Sequence, residues 1–214
     1  MEIIAHRAAN TSEALSGVVG GGVVGGGVVV DAVELDVHLF RRRLEVRHAK
    51  LVCWPWSRLW ERWELLPAGF PRPRLDAIVA DVPEDLGLWI DLKGYSRRLP
   101  AAVHAVVDDR PRTTYSSRQW WLVAWAGRHT SARTMASVGS RWQRWCAVRF
   151  GVPADGVVIA DRLVDDGWLE QLLERVTTVF VWGVVDPLRA AELARRGVSG
   201  LVVDDPSVAV VPEP

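Results

Sequence analysis

Alternating acidic residues in Glu34-Leu35-Asp36-Val37-His38 are the strongest chemical signal in the sequence. If this segment is a β-strand, successive side chains point to opposite faces, so Glu34, Asp36 and His38 share one face. Burying two carboxylates on one face of a parallel sheet is costly unless a bound cation compensates their charge. The spacing therefore favours a metal site, although an edge strand with a solvated acidic face would show the same pattern.

A second segment, Leu88–Gly94, repeats this alternation and places Asp91 and Lys93 on one face. A third carboxylate beside a lysine suits a site that holds both a metal and a phosphate group. Oxygen ligands favour a hard cation, Mg²⁺ or Ca²⁺. Taken alone, Asp-x-Lys is a short pattern that a surface ion pair explains equally well.

Two histidines lie at the ends of candidate strands. His6 follows Ile3–Ala5, and His48 ends the run Leu44–Arg47. Because histidine gains and loses a proton near neutral pH, the two could serve as the general acid and base of one displacement. Arg7 could hold a phosphate oxygen through its guanidinium. Barrel active sites gather at the carboxyl ends of the strands, so these positions favour catalysis over a structural role.

Short β-rich runs alternate with helical patterns, which is typical of a parallel α/β architecture. We predict a single-domain (β/α)₈ TIM barrel over residues 1–207 and a C-terminal tail at 208–214. The candidate strands are Glu2–His6, Ala32–His38, Leu44–His48, Leu88–Lys93, Thr113–Ser117, Arg133–Val138, Thr178–Val185 and Gly200–Asp204. The candidate helices are Leu75–Asp81, Leu99–Asp108, Arg118–Arg128, Asp166–Arg175 and Pro187–Arg196. A further candidate strand, Gly156–Ala160, leaves the count of eight uncertain by about one.

Composition narrows the class of protein. The 214 residues, 49% of them hydrophobic, suit one domain with a full core. Lys plus Arg and Asp plus Glu both total 26, so the global balance suggests neither a nucleic-acid nor an acidic-membrane partner. The N-terminus lacks a signal-peptide pattern, and the uncharged stretch Gly17–Val30 is too short and glycine-rich to span a bilayer. We therefore expect a soluble, cytoplasmic protein without a transmembrane segment.

Tryptophan is unusually frequent, with twelve copies in two clusters: Trp54, Trp56, Trp60 and Trp63, and Trp120, Trp121 and Trp125. Packing in the core or on a helical shell is one explanation. The other is an apolar cap over a substrate or a partner surface. Trp56, Trp60 and Trp63 have helical spacing. Because this segment follows His48, the cap hypothesis places it near the barrel mouth.

Taken in order along the chain, these residues resemble the glycerophosphodiester phosphodiesterase family. The matching segments, each followed by the family pattern, are Ile3–Arg7 (I-A-H-R-G), Asn10-Thr11 (the end of E-N-T), Val33–Val37 (E-x-D-V), Val46–His48 (V-x-H-D), Pro73–Ile78 (P-T-L-E-E-V), Ile90–Lys93 (I-E-x-K), Val181–Asp186 (W-T-V-N) and Gly197–Pro206 (G-V-D-G-I-I-T-D-x-P). Each segment is short, but the joint order from residue 3 to residue 206 is specific.

The resemblance implies a TIM barrel that binds Ca²⁺ or Mg²⁺ and cleaves glycerophosphodiesters to glycerol 3-phosphate and an alcohol. A lysophospholipid-like substrate is an open alternative, since the tryptophans could cover an acyl chain. The implied roles are metal ligands at Glu34, Asp36 and Asp91, a general acid/base pair at His6 and His48, phosphate contacts at Arg7 and Lys93, and the substrate side of the barrel mouth at Trp182.

The chain departs from the family pattern in several places. Ala8 replaces the glycine after His-Arg, and Ala49 replaces the aspartate after the second histidine. Ala9 replaces the glutamate before Asn-Thr, and Asp91 stands for a glutamate. These departures motivate an alternative, a non-catalytic barrel that binds a phosphorylated ligand or a protein; the retained carboxylates and histidines argue against it. A third hypothesis, an unrelated barrel for sugar phosphates, would need a glycine-rich phosphate loop after strand seven or eight, and the sequence shows none.

Overall fold

The computed structural model describes residues 1–11, 14–17, 29–52, 58–61, 64–66 and 70–209. Its strands in chain order are β1 (Glu2–Ala5), β2 (Ala32–Phe40), β3 (Arg43–Val46), β4 (Lys50–Val52), β5 (Arg58–Glu61), β6 (Glu64–Leu65), β7 (Gly87–Lys93), β8 (Thr113–Ser117), β9 (Arg133–Val138), β10 (Gly156–Ala160), β11 (Thr178–Trp182) and β12 (Gly200–Val203). Its helices include α1 (Leu75–Asp81), α2 (Leu99–Val107), α3 (Trp120–His129), α4 (Arg141–Phe150), α5 (Asp166–Leu173) and α6 (Pro187–Arg195).

Eight parallel strands close into a barrel in the order β1, β2, β7, β8, β9, β10, β11 and β12, and β12 pairs with β1 again. From β7 onward the strands are separated by helices or by short helical turns, so the predicted (β/α)₈ fold is confirmed. None of the helices in the described ranges combines the length and the apolar character that crossing a bilayer requires.

The inward-facing residues of β2 and β7 contribute both to the packed interior of the barrel and to the site at its mouth. Ala32 of β2 and Trp89 of β7 pack in an internal cluster with residues of β1, β9, β10, β11 and β12. Side chains two positions further along a strand share the same face, so Glu34 and Asp91 continue this inward row towards the carboxyl ends. The inward-facing row of each strand therefore begins with residues that pack the barrel interior and ends with carboxylates at the mouth.

One predicted barrel strand lies outside the barrel. The segment expected at Leu44–His48 is β3, which pairs antiparallel with β2. Only Arg41 and Arg42 separate the two strands, and both have positive φ, of 47° and 66°. Such a turn makes a hairpin, whereas a parallel neighbour needs a crossover of a dozen or more residues. The eighth place in the barrel belongs to β10.

All five predicted helices are observed, with ends that match the prediction or differ from it by one or two residues. The start of α6 follows the expected signals: the side chain of Asp186 accepts a hydrogen bond from the backbone N–H of Leu188, and Pro187 takes the first helical position. The prediction missed α4. Its strongest local signal is Ser140, whose side chain accepts a hydrogen bond from the backbone N–H of Gln143.

The segment after His48 forms a small antiparallel sheet of β4, β5 and β6. Trp60 lies in β5, so the helical spacing expected for it is wrong. Trp54, Trp56 and Trp63 lie outside the described residues, as does most of the glycine-rich stretch 17–27.

Candidate active site at the barrel mouth

Three carboxylates meet where β2 and β7 approach the mouth. Glu34 and Asp36 lie on β2, and Asp91 lies on β7 directly opposite Asp36 in the parallel register. One oxygen from each of the three lies within 4.8 Å of the others, and all three side chains are buried. Burial of this much negative charge needs a nearby cation.

Lys93 supplies part of that positive charge. Its ammonium nitrogen lies 2.8 Å from Asp36 Oδ1 and also contacts Asp91. Burial opposes ionisation of Asp36, but the charge of Lys93 together with hydrogen bonds from Lys93 and Asn10 outweighs it and lowers the pKa of Asp36. Burial, reinforced by Asp36, raises the pKa of Glu34 well above its ordinary value, and burial likewise raises the pKa of Asp91. Arg7 adds a second positive charge, with its Nε 3.8 Å from Asp36 Oδ2. Two cations therefore leave the three carboxylates incompletely compensated.

His6 lies just beyond the end of β1, between two acidic residues. Its Nδ1 is 2.7 Å from Oδ1 of Asp204, and its Nε2 is 3.4 Å from Oε2 of Glu34. Burial lowers the pKa of His6, although the bond to Asp204 works against this shift. The next residue, Arg7, adopts a left-handed backbone with φ of 53°, and its backbone N–H donates to Glu34 Oε2 over 2.9 Å. This turn places the ring and the guanidinium beside the carboxylates.

His48 approaches the same cavity from the hairpin side. Its Nδ1 lies 2.8 Å from Oε1 of Glu61 in β5. The same Glu61 oxygen is 3.9 Å from an Arg7 nitrogen. Glu61 of the small sheet therefore contacts both His48 and Arg7.

The cavity at the mouth has a volume of about 210 Å³. Most of the residues singled out in the sequence line it: His6, Arg7, Glu34, His48, Asp91, Lys93 and Trp182. Asp36 adjoins them through Lys93. The structure thus brings all of these positions to one place, while their individual roles stay predictions.

Sequence reasoning did not assign four further residues at this site. Asn10 holds Asp36 by two hydrogen bonds of 2.9 Å, one given and one received. Asp204 and Glu61 hold the two imidazoles. Arg118, after β8, lines the cavity with its guanidinium carbon 5.8 Å from the centroid of the Trp182 ring. Asn10 and Asp204 fall inside segments that resemble the family, whereas Glu61 and Arg118 carry no sequence signal of this kind.

His38, the third member of the alternating motif, takes no part in the cavity lining. Burial lowers the pKa of His38 to about 3, so the ring is neutral at physiological pH. It lies beyond Asp36, near the end of β2, in register with Lys93.

No protein-family model and no curated protein matches this chain. Solved structures do match it. A glycerophosphodiester phosphodiesterase from Thermotoga maritima is 17% identical with a TM-score of 0.70, over 97% of this chain and 95% of that one. An Oleispira antarctica phosphodiesterase, solved with the product sn-glycerol-3-phosphate, is 18% identical with a TM-score of 0.72, over 98% and 95%. An Agrobacterium tumefaciens glycerophosphodiester phosphodiesterase is 22% identical with a TM-score of 0.68, over 98% of each chain. At these identities the likeness establishes the shared fold.

Proposed function

We propose that this chain is a metal-dependent phosphodiesterase that hydrolyses glycerophosphodiesters to glycerol 3-phosphate and an alcohol. The fold is shared with proteins named for that activity, one of them solved with this product. The mouth of the barrel is where enzymes of this fold hold their active sites. We also propose that the protein is cytoplasmic.

The observation that carries the proposal is a pair of buried polar atoms at this site that have no hydrogen-bond partner in the part of the chain that the structure describes. One is an acceptor and the other is a donor. Oδ1 of Asp91 is an acceptor, and Nε of Arg7 is a donor; neither has a hydrogen-bond partner among the described residues. Unpartnered buried polar atoms are rare in folded proteins and need an explanation. A bound cation would give Asp91 Oδ1 a partner, and a phosphate oxygen would accept a hydrogen bond from Arg7 Nε.

The donor set fits a divalent metal. Three carboxylates whose oxygens lie within 4.8 Å of one another offer hard ligands of the kind that Mg²⁺ and Ca²⁺ take. Glu34, Asp36 and Asp91 would hold the ion, which when bound supplies positive charge to polarise the phosphate. Asn10 keeps Asp36 oriented through its two hydrogen bonds.

The two histidines would move the protons. Each is held at Nδ1 by a carboxylate, His6 by Asp204 and His48 by Glu61, so exchange with the substrate falls to Nε2. One imidazole accepts a proton from the attacking water molecule as the water oxygen bonds to phosphorus. The other donates a proton to the alcohol oxygen as the phosphorus–oxygen bond breaks.

The remaining cavity residues would bind the substrate. Arg7 and Lys93 offer positive charge to the phosphate, and Trp182 offers an apolar wall for the rest of the molecule. A diester with a small head group suits a cavity of about 210 Å³ better than a long acyl chain contained wholly within it. A lysophospholipid would need its chain to lie outside the barrel.

Hydrolysis of glycerophosphocholine and of bis-(p-nitrophenyl) phosphate, each with and without EDTA, tests the proposal. We expect turnover of both diesters, loss of turnover in EDTA and recovery on adding Mg²⁺ or Ca²⁺. Turnover that EDTA does not affect would contradict the metal. Tight binding of the diester without any turnover would favour the non-catalytic alternative.

A further inference from the structure

The balanced net charge of the chain hides a strong local asymmetry. Residues 110–154 contain no aspartate or glutamate. Over the same span the sequence has eight arginines: Arg110, Arg112, Arg118, Arg128, Arg133, Arg141, Arg144 and Arg149. Three of these arginines pair with acidic residues from outside the span, Arg112 with Asp31, Arg133 with Glu2 and Arg144 with Asp165. The other five form no ion pair with the described residues, so this part of the molecule keeps an excess of positive charge.

The outer face of α4 combines that charge with exposed aromatic rings. Trp142 is 67% exposed, Trp145 47% and Phe150 70%. The rings form a continuous row: Trp142 stacks on Trp145 at 4.8 Å between centroids, and Trp145 meets Phe150 edge-on at 5.3 Å. Arg149 lies 5.6 Å from the Phe150 centroid. Scattered exposed apolar residues are ordinary, but a contiguous aromatic row marks an interaction surface.

The inner face of α4 is fixed to the barrel, which sets the direction of the outer face. Ala147 is buried, and Arg144 turns inward to the carbonyl of Leu163 and the carboxylate of Asp165. The indole N–H of Trp168 donates to the Arg144 carbonyl over 3.3 Å. By contrast, Arg141 and Arg149 are exposed and pair with no acidic residue among those described.

We propose that this face, made of Arg141, Trp142, Trp145, Arg149 and Phe150, docks on a membrane surface that contains anionic lipid. Tryptophan rings favour the interface between water and acyl chains, and helices with basic and aromatic residues lie in that plane. Arginines near an anionic bilayer each add attraction that salt screens. A second protein surface would need acidic and apolar groups matched to this row, whereas anionic lipid supplies both by its nature.

The position of α4 gives the docking a consequence for the barrel mouth. The helix starts at Arg141 with Ser140 as its N-cap, shortly after the carboxyl end of β9, which is the mouth end of the barrel. The preceding residue, Gly139, lies against the cavity residue Arg118: a Cβ there would meet its guanidinium at 2.8 Å. A bilayer in contact with the first turn of α4 would therefore lie beside the opening of the cavity.

Co-sedimentation of the full chain with vesicles tests the proposal. We expect binding to vesicles of equimolar phosphatidylglycerol and phosphatidylcholine, with much weaker binding to pure phosphatidylcholine. Arg141→Gln with Arg149→Gln should lower the partition coefficient on anionic vesicles about 30-fold, since each arginine near such a surface contributes about 1 kcal/mol. Trp142→Ala with Trp145→Ala should lower it about tenfold or more through lost apolar burial.

Matched controls keep loss of folding apart from loss of docking. Val29→Ala removes an apolar side chain that is 66% exposed before the amino end of β2, away from the mouth, and Arg175→Gln with Arg195→Gln removes two exposed arginines near the C-terminal ends of α5 and α6. These variants should bind like the wild type, and all variants should keep the wild-type circular dichroism. Absence of binding to anionic vesicles would overturn the proposal. So would a dimer in light scattering that the two tryptophan substitutions dissociate, because the face would then belong to a second copy.

Discussion

The two ends of the barrel treat charged side chains in opposite ways. At the amino ends of the strands, opposite the mouth and called here the closed end, Arg133 donates to both carboxylate oxygens of Glu2, at 2.8 and 2.9 Å, and to Thr114 Oγ1 at 3.1 Å. Arg112 donates to the carbonyl oxygens of Asp85 and Asp31, at 2.7 and 3.1 Å. At the mouth, Lys93 faces three carboxylates and a buried oxygen of Asp91 has no partner among the described residues.

This difference separates stability from function within one fold. Paired charges at the closed end connect β9 to β1 across the barrel and to its neighbour β8, and each of these charges has an opposite partner. Incompletely paired charges at the mouth cost stability, because burial disfavours ionised groups without full compensation. In this barrel architecture the carboxyl ends of the strands carry chemistry and the opposite face carries stability. Substitutions at the two ends should therefore have opposite signatures.

The largest effect is expected at the carboxylate cluster. Asp36→Asn keeps the side-chain volume but removes a charge and a metal ligand. We expect kcat/KM for glycerophosphocholine to fall about 10³-fold or more, because a catalytic metal stabilises transition-state charge by several kcal/mol. The protein should stay folded, with a melting temperature at most a few degrees lower, because the substitution removes the ion pair with Lys93 but leaves the Lys93–Asp91 contact. If Asp36→Asn loses activity because it unfolds, the mouth residues contribute to stability as the closed end does, and this prediction is wrong.

The histidines should follow. His6→Ala and His48→Ala should each lower kcat by about 10² to 10⁴-fold, the usual range for one proton-transfer group. Stopped or continuous assays with saturating diester would report the loss in kcat rather than in binding. Near-normal rates in both variants would remove the pair from the mechanism.

A smaller effect is expected at Glu61, which contacts the imidazole of His48 and does not line the cavity. Glu61→Gln should lower kcat about 10 to 100-fold, as losing an orienting hydrogen-bond partner of a catalytic group commonly does. The loss should be greatest for alkyl diesters and least for bis-(p-nitrophenyl) phosphate if His48 protonates the leaving group. Glu170→Gln, on an exposed position of α5, is the matched control. Equal loss on both substrates would assign His48 to the base instead.

The smallest effect is expected at the closed end. The hydrogen bond from Arg133 lowers the pKa of Glu2 below its ordinary value of 4.5. A carboxyl whose folded-state pKa is lowered stabilises the fold above its unfolded pKa, and this contribution is lost as the pH falls through the lower folded value. Glu2→Gln should thus reduce the free energy of unfolding by about 0.5 to 1 kcal/mol at neutral pH, a modest amount because Glu2 is partly exposed. Urea unfolding at neutral and strongly acidic pH should show the difference only at neutral pH, with turnover unaffected.

The site was easier to predict than its supports, and the reason is physical. Period-two alternation fixes which residues of β2 and β7 face inward, so Glu34, Asp36, Asp91 and Lys93 follow from local pattern alone. Glu61 reaches His48 through the pairing of a short sheet, and no local pattern encodes that contact. The hairpin after β2 was predictable in principle, because two residues cannot make a parallel crossover.

The helix α4 was missed for a related reason. Its exposed face carries Trp142, Trp145 and Phe150, so the apolar positions do not mark the buried side as they do in α6. Amphipathic pattern predicts a helix when the core takes the apolar face. A helix that presents aromatic rings to the outside breaks this rule, and the exception coincides with the surface proposed to meet lipid.

Isothermal titration of the wild-type chain with Mg²⁺ and with Ca²⁺ tests the central claim most directly, namely that the mouth leaves charge uncompensated in order to hold a cation. The account predicts a single saturable site for at least one of these ions, lost in Asp36→Asn and retained in Glu2→Gln. Absence of divalent-ion binding to the folded wild-type chain, or equal binding to Asp36→Asn, would contradict it.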